Sequence, residues 1–110
     1  MKFILDEEGL CLRNKKEISL YFYAAWMPYH KKMLFMIDKV EKKYDNVYFF
    51  AIDVDAFGGI CKRFNIKSIP TIVLIKNKQE VNRINGLVLT KPFMSCYYNT
   101  FKQEQDQDCQ

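Results

Sequence analysis

Apolar positions along this chain recur with two different periods, and each run predicts one element. Ile18-Ser19-Leu20-Tyr21-Phe22-Tyr23 and Val47-Tyr48-Phe49-Phe50-Ala51-Ile52 are short, nearly continuous, and rich in β-branched and aromatic residues. That pattern suits strands buried on both faces. Between them Met33, Met36, Ile37, Val40 and Tyr44 return at steps of three and four, while Lys32, Asp38, Lys39, Glu41, Lys42 and Lys43 fill the other side. An amphipathic helix is predicted, its periodicity running from Tyr29 to Tyr44, with Pro28 just inside its start, where a missing N–H costs nothing. Residues 1–5 read as a first strand, 6–16 as a short helix with Leu10 and Leu12 as its contacts, and 57–64 as a helix entered through Gly58-Gly59. Residues 71–76 and 80–86 form a predicted hairpin around Asn77-Lys78-Gln79. Thr90 is the N-cap candidate of a last helix to Phe101, with Phe93, Tyr97 and Phe101 as its buried stripe. The order β-α-β-α-β-α-β-β-α, joined by right-handed crossovers, predicts an α/β domain with its first three strands parallel and its last hairpin antiparallel. A mixed sheet of about five strands, with about four helices divided between its faces, follows.

Composition narrows the function classes. A chain of 110 residues that is 49% hydrophobic can bury one core without disulfides or metals. It contains no apolar run long enough for a transmembrane helix, and its start turns acidic at Asp6-Glu7-Glu8, so neither a membrane span nor a signal peptide is expected. Cys11, Cys61, Cys96 and Cys109 are widely separated and form no Cys-x-x-Cys. A reducing, cytoplasmic setting is the expected one. Residues 103–110 carry Glu104, Asp106 and Asp108; without them the formal charge of +4 becomes +7 on the rest. The expected organisation is one domain over 1–102 and an acidic, disordered tail over 103–110. The excess of lysine over arginine, with abundant Ile, Asn, Tyr and Phe, fits an AT-rich genome such as those of many viruses.

Three local motifs then give the order of elements a family likeness from about Ile18 to about Phe101. They are Phe22-Tyr23-Ala24-Ala25-Trp26 at a strand-to-helix turn, Ala51-Ile52-Asp53-Val54-Asp55 followed by Phe64-Asn65-Ile66-Lys67 and Ser68-Ile69-Pro70-Thr71, and Asn85-Gly86-Leu87 before the last helix. In this order and spacing the chain resembles thioredoxin. The resemblance implies the thioredoxin fold and a cis-proline at Ile69–Pro70, a bond whose cis form costs only about 0.5–1 kcal/mol. It also places the family's Trp-Cys-Gly-Pro-Cys-Lys centre on Trp26-Met27-Pro28-Tyr29-His30-Lys31. Both cysteines are replaced. The buried aspartate that assists the family's cysteines corresponds to Tyr21, and the helix-kinking proline to Phe35, which predicts a straighter helix.

Disulfide exchange needs a thiolate and a resolving thiol, and neither the Met27 thioether nor the His30 imidazole can form a mixed disulfide. No catalytic residue and no cofactor is therefore expected. Met27 and His30 supply only two soft ligands, too few for a metal site. What the resemblance leaves is a groove for an extended segment of another protein, lined by Trp26, Met27, Pro28, Tyr29, His30, Ile69, Pro70, Gly86 and Leu87, in which backbone pairing needs no thiol. His30, at a helix start, is expected neutral and at the surface. Cys61 and Cys96 are expected on opposite faces of the sheet. The leading expectation is a redox-inactive interaction module or assembly subunit. The alternatives are a thiol oxidoreductase using a non-standard cysteine and an accessory subunit of a nucleic-acid complex, the latter suggested by the lysine pairs of a +7 body. No recognition motif or phosphate loop accompanies those lysines.

Overall fold

Strand β2 (Glu17–Tyr23) is the axis of the molecule, because it pairs on both sides and buries both faces. In the computed structural model, which describes residues 1–6, 12 and 14–101, the sheet order is β1-β3-β2-β4-β5. The strands are β1 (Lys2–Phe3), β2, β3 (Tyr48–Asp53), β4 (Thr71–Lys76) and β5 (Gln79–Asn85). The helices are α1 (His30–Glu41), α2 (Gly58–Arg63) and α3 (Thr90–Phe101). β1, β3 and β2 run parallel, whereas β4 is antiparallel to β2 and β5 to β4, as the crossover argument requires. The described residues hold three helices, and the further helix expected over 6–16 falls largely outside them.

Side chains of β2 alternate between two cores, as a period of two demands. Ile18, Leu20 and Phe22 join Phe50, Ile52, Val73, Ile75 and Ile60 of α2 on one face. Tyr21 joins Met33, Met36, Ile37 and Val40 of α1 and Phe93, Tyr97 and Phe101 of α3 on the other. This division separates Cys61 from Cys96. The buried faces of α1 and α3 are those read from the sequence, but their ends differ. Tyr29, with φ −105° and ψ 18°, stays outside the helix, so α1 starts at His30 and Pro28 lies before it rather than inside it. Thr90 is the first residue of α3 rather than its cap.

Two side-chain polar atoms of the buried stretch of β2 point into the α1–α3 core, and both are satisfied. Ser19 Oγ and Tyr97 Oη are hydrogen-bonded at 2.7 Å with both residues buried. The Tyr97 hydroxyl is driven toward its neutral form by that burial. The second atom, Tyr21 Oη, belongs to the site described below.

The β4–β5 hairpin is tighter than expected, because Gln79 belongs to β5 and the turn is Asn77-Lys78 alone. Both turn residues have positive φ, 53° and 69°, which matches the twist of the hairpin. A bulge follows: Leu74 faces Asn82 but Ile75 faces Glu80, so Val81 is an extra residue. That insertion puts Glu80 and Arg83 on the same face, where an odd separation would otherwise oppose them. Glu80 takes two hydrogen bonds from the Arg83 guanidinium, each 2.8 Å. Arg83 in turn donates to the carbonyls of Phe64 (2.7 Å) and Asn65 (3.3 Å). It thereby anchors the loop between α2 and β4.

Replacing Ser19 by Ala is expected to cost about 1–3 kcal/mol by leaving the Tyr97 hydroxyl buried without a partner. Adding Tyr97→Phe should recover most of that loss, as read from denaturant midpoints of the single and double variants. Lys78→Gly, at a left-handed position that glycine occupies without a Cβ penalty, should raise stability by about 0.5–1 kcal/mol in the same measurement.

Candidate functional site

Three loops converge at the end of the sheet where β2 finishes and β4 begins, since Phe22 pairs with Thr71. The first is the turn 24–29 leading into α1, the second the segment 64–70 leading into β4, and the third the segment 86–89 between β5 and α3. The Ile69–Pro70 peptide bond is cis. Thr71 Oγ1 donates to the Ser68 carbonyl at 2.7 Å, and Gly86 N donates to the Pro70 carbonyl at 2.8 Å. Gly86 has φ 79°, and a Cβ there would meet nothing within 4 Å, so glycine is required by backbone conformation and not by space. The Ile69 backbone enters none of the turn and loop hydrogen bonds among the described residues.

Around this bend the exposed residues are Trp26, Pro28, Tyr29 and Leu87, with Ile69, Pro70 and Gly86 partly covered. Trp26 keeps 71% of its surface open, and its indole Nε1 donates to Asp55 at 2.9 Å. That bond ties the ring to the segment between β3 and α2. Met27 differs from the rest of the predicted groove: it is 7% exposed and packs into the α1–α3 core. The turn hydrogen bond from Met27 N to the Ala24 carbonyl folds it inward, so it fills space under the loop and offers almost no surface to a partner.

His30 is not the plain surface histidine that the sequence suggested. Its Nδ1 is hydrogen-bonded to Tyr21 Oη at 2.9 Å, and the Tyr23 ring lies against it at 4.6 Å and 10°. Tyr23 also stacks on Tyr21 at 5.3 Å and 19°, and meets the edge of Phe3. The position of the family's second cysteine and that of its buried aspartate are therefore occupied by two residues bonded to each other. Tyr21 and Tyr23, two apart on one strand, necessarily share the face toward the start of α1. That periodicity was the available signal for this cluster.

Burial holds His30 below its ordinary value, with nearby Asp53 opposing the shift. Burial also raises the Tyr21 and Tyr23 hydroxyls, so both are neutral at physiological pH. The Cys61 and Cys96 thiols are half-buried and likewise raised by burial, which leaves them poor thiolates. Cys11 and Cys109 lie outside the described residues. Among the described residues no group of three or more His, Cys, Asp or Glu side chains could hold a metal ion, and no helix is long and apolar enough to cross a membrane.

A base that is harder to protonate folded than unfolded stabilises the fold above its unfolded pKa, and that contribution is lost as pH falls toward the folded pKa. Acidification from neutral pH through and below 6.5, the ordinary value for His30, should therefore lower stability. His30→Phe, which keeps a ring in the stack, is expected to remove this component from the pH dependence of the denaturation midpoint. The His30 ring protons should titrate below 6.5 in the folded wild type.

The Thioredoxin family model matches residues 8–96, and yeast (Saccharomyces cerevisiae) thioredoxin-1 is 32% identical over 81 residues, covering 74% of this chain and 79% of that protein. Bovine (Bos taurus) glutaredoxin-3 is 30% identical over 80 residues, which are 73% of this chain but 24% of that protein, so the chain spans about a quarter of that relative's length. Among solved structures, a thioredoxin from Nicotiana alata superposes with a TM-score of 0.80 at 25% identity, covering 90% of each chain. The family model, the relatives and the sheet topology agree: the chain belongs to the thioredoxin family.

Proposed function

We propose that this chain is a protein-binding domain that takes an extended segment of a partner into the groove around Ile69–Pro70, without dithiol exchange. One observation carries the reading: the two positions where the family motif has cysteines hold a buried Met27 and a His30 bonded to Tyr21. Neither side chain can attack or resolve a disulfide. The rest of the groove has what strand addition uses, namely a backbone segment at Ile69 outside the internal loop bonds and an apolar rim of Trp26, Tyr29 and Leu87. A reducing, cytoplasmic setting belongs to the same reading.

The relatives are thioredoxins and glutaredoxin-3, which favours a thiol-disulfide activity as the second reading. Among described residues that activity would fall to Cys61 or Cys96, whose thiols are raised and which lie in separate cores.

The purified protein is expected to reduce insulin disulfides no faster than a variant with every cysteine changed to serine. A robust rate that disappears in that variant would overturn the proposal in favour of the second reading. Ile69→Asp, at a partly covered loop residue, should leave the fold intact and weaken capture of native-host partners by about tenfold or more, since it sets a charge against an apolar segment. Quantitative mass spectrometry of captured proteins checks it; partners retained equally by both forms would count against this groove.

A further inference from the structure

The pole opposite the cis-proline carries a second candidate site, about 20 Å away along the six steps of β2. There β2 starts at Glu17 beside Lys76, β3 starts at Tyr48 beside Ile18, and the Asn77-Lys78 turn is tied to Lys16 by a 2.8 Å bond from Asn77 N to the Lys16 carbonyl. Two cavities meet at Lys78. One, of about 400 Å³, is lined by Asn14, Lys15, Lys16, Asn77 and Lys78. The other, of about 420 Å³, is walled by Leu12, Ile18, Phe64 and Ile75, with the cations Arg63 and Lys78 and the carboxylate Glu80. Each is in the size range of small-molecule sites.

Lys15, Lys16, Lys78 and Arg63 take part in no ion pair among the described residues. The nearby carboxylates are occupied: Glu80 is held by Arg83, and Glu17 accepts a 2.7 Å bond from Asn46 Nδ2. Lys78 has φ 69°, at a turn position where glycine is favoured, so a long cationic side chain is kept there at a conformational cost. The Arg63 guanidinium lies 5.2 Å from the centre of the Phe64 ring, giving the apolar cavity a flat, cation-bearing wall.

We infer that this pole binds a free nucleotide, with its phosphates among Lys15, Lys16 and Lys78 and its base against Phe64 and Ile75. A lysine cluster alone would take any polyanion; the adjoining apolar cavity selects one with an aromatic body. The inference is independent of the partner groove, since the two sites share no residue.

The test is calorimetric titration of the full chain at low ionic strength with ATP, ADP, adenosine and inorganic tripolyphosphate, each without added metal. ATP and ADP should bind, with adenosine and tripolyphosphate weaker by about tenfold or more. Lys78→Gly and Lys16→Gln should each weaken ATP binding by about tenfold. The glycine variant should do so while its melting temperature stays level or rises, which separates lost binding from lost folding. No ATP binding by the wild type, tripolyphosphate binding as tight as ATP, or ATP binding unchanged in both variants would overturn the assignment.

Discussion

Everything in this fold hangs on a strand with no solvent side. β2 is hydrogen-bonded along both edges and covered on both faces over Ile18–Phe22, so each polar atom of that buried stretch must find a partner inside the protein. It carries two such hydroxyls toward the α1–α3 core. Ser19 finds Tyr97, which sets α3 against the entry of the strand, and Tyr21 finds His30, which sets the first turn of α1 against its exit. The requirement that buries the strand therefore also aims the residues of the site.

The chemical turn and the loops that face it are held by separate means. The cis-proline bend is fixed by Thr71, Gly86 and, further back, Arg83, whose hydrogen bonds run to residues other than 26–31. The turn is held by its own backbone bonds, the Trp26–Asp55 contact and the Tyr21–His30 pair. This independence gives a physical account of how two cysteines can be absent while the surrounding groove keeps its form. The residues in their places are not idle: Met27 adds to the core, and His30 shields a buried tyrosine.

Most of the architecture was legible from periodicity. The nearly continuous apolar run of β2, the heavily apolar β4 and the Phe93, Tyr97, Phe101 stripe each report burial, which tertiary context did not overrule. The site was legible in its outline and less so in its detail. Met27 was assigned to the groove because the family motif lies on an accessible turn, but side-chain direction in a turn is set by local dihedrals that no hydrophobic period encodes. Tyr21 and His30 are nine positions apart, and their meeting depends on where α1 begins, which Tyr29 shifts by one residue. The bulge at Val81 was invisible for a similar reason: an extra residue changes the face of everything after it without altering composition.

That bulge has a further consequence. Arg83 lies on the face of Glu80, three positions before it, because Val81 stays out of the ladder and the strand slips by one, and from that face it reaches the α2–β4 loop. The placement of the cis-proline bend thus depends on register as much as on any side chain. Loss of Val81 would leave Asn82 opposite Leu74 and Arg83 opposite Val73, so the guanidinium would keep its face, whereas drawing Val81 into the ladder would set Arg83 opposite Ile72 and turn it away from the loop. The tether to the loop is therefore kept by one residue staying out of the ladder, a constraint on pairing and not on the length of β5.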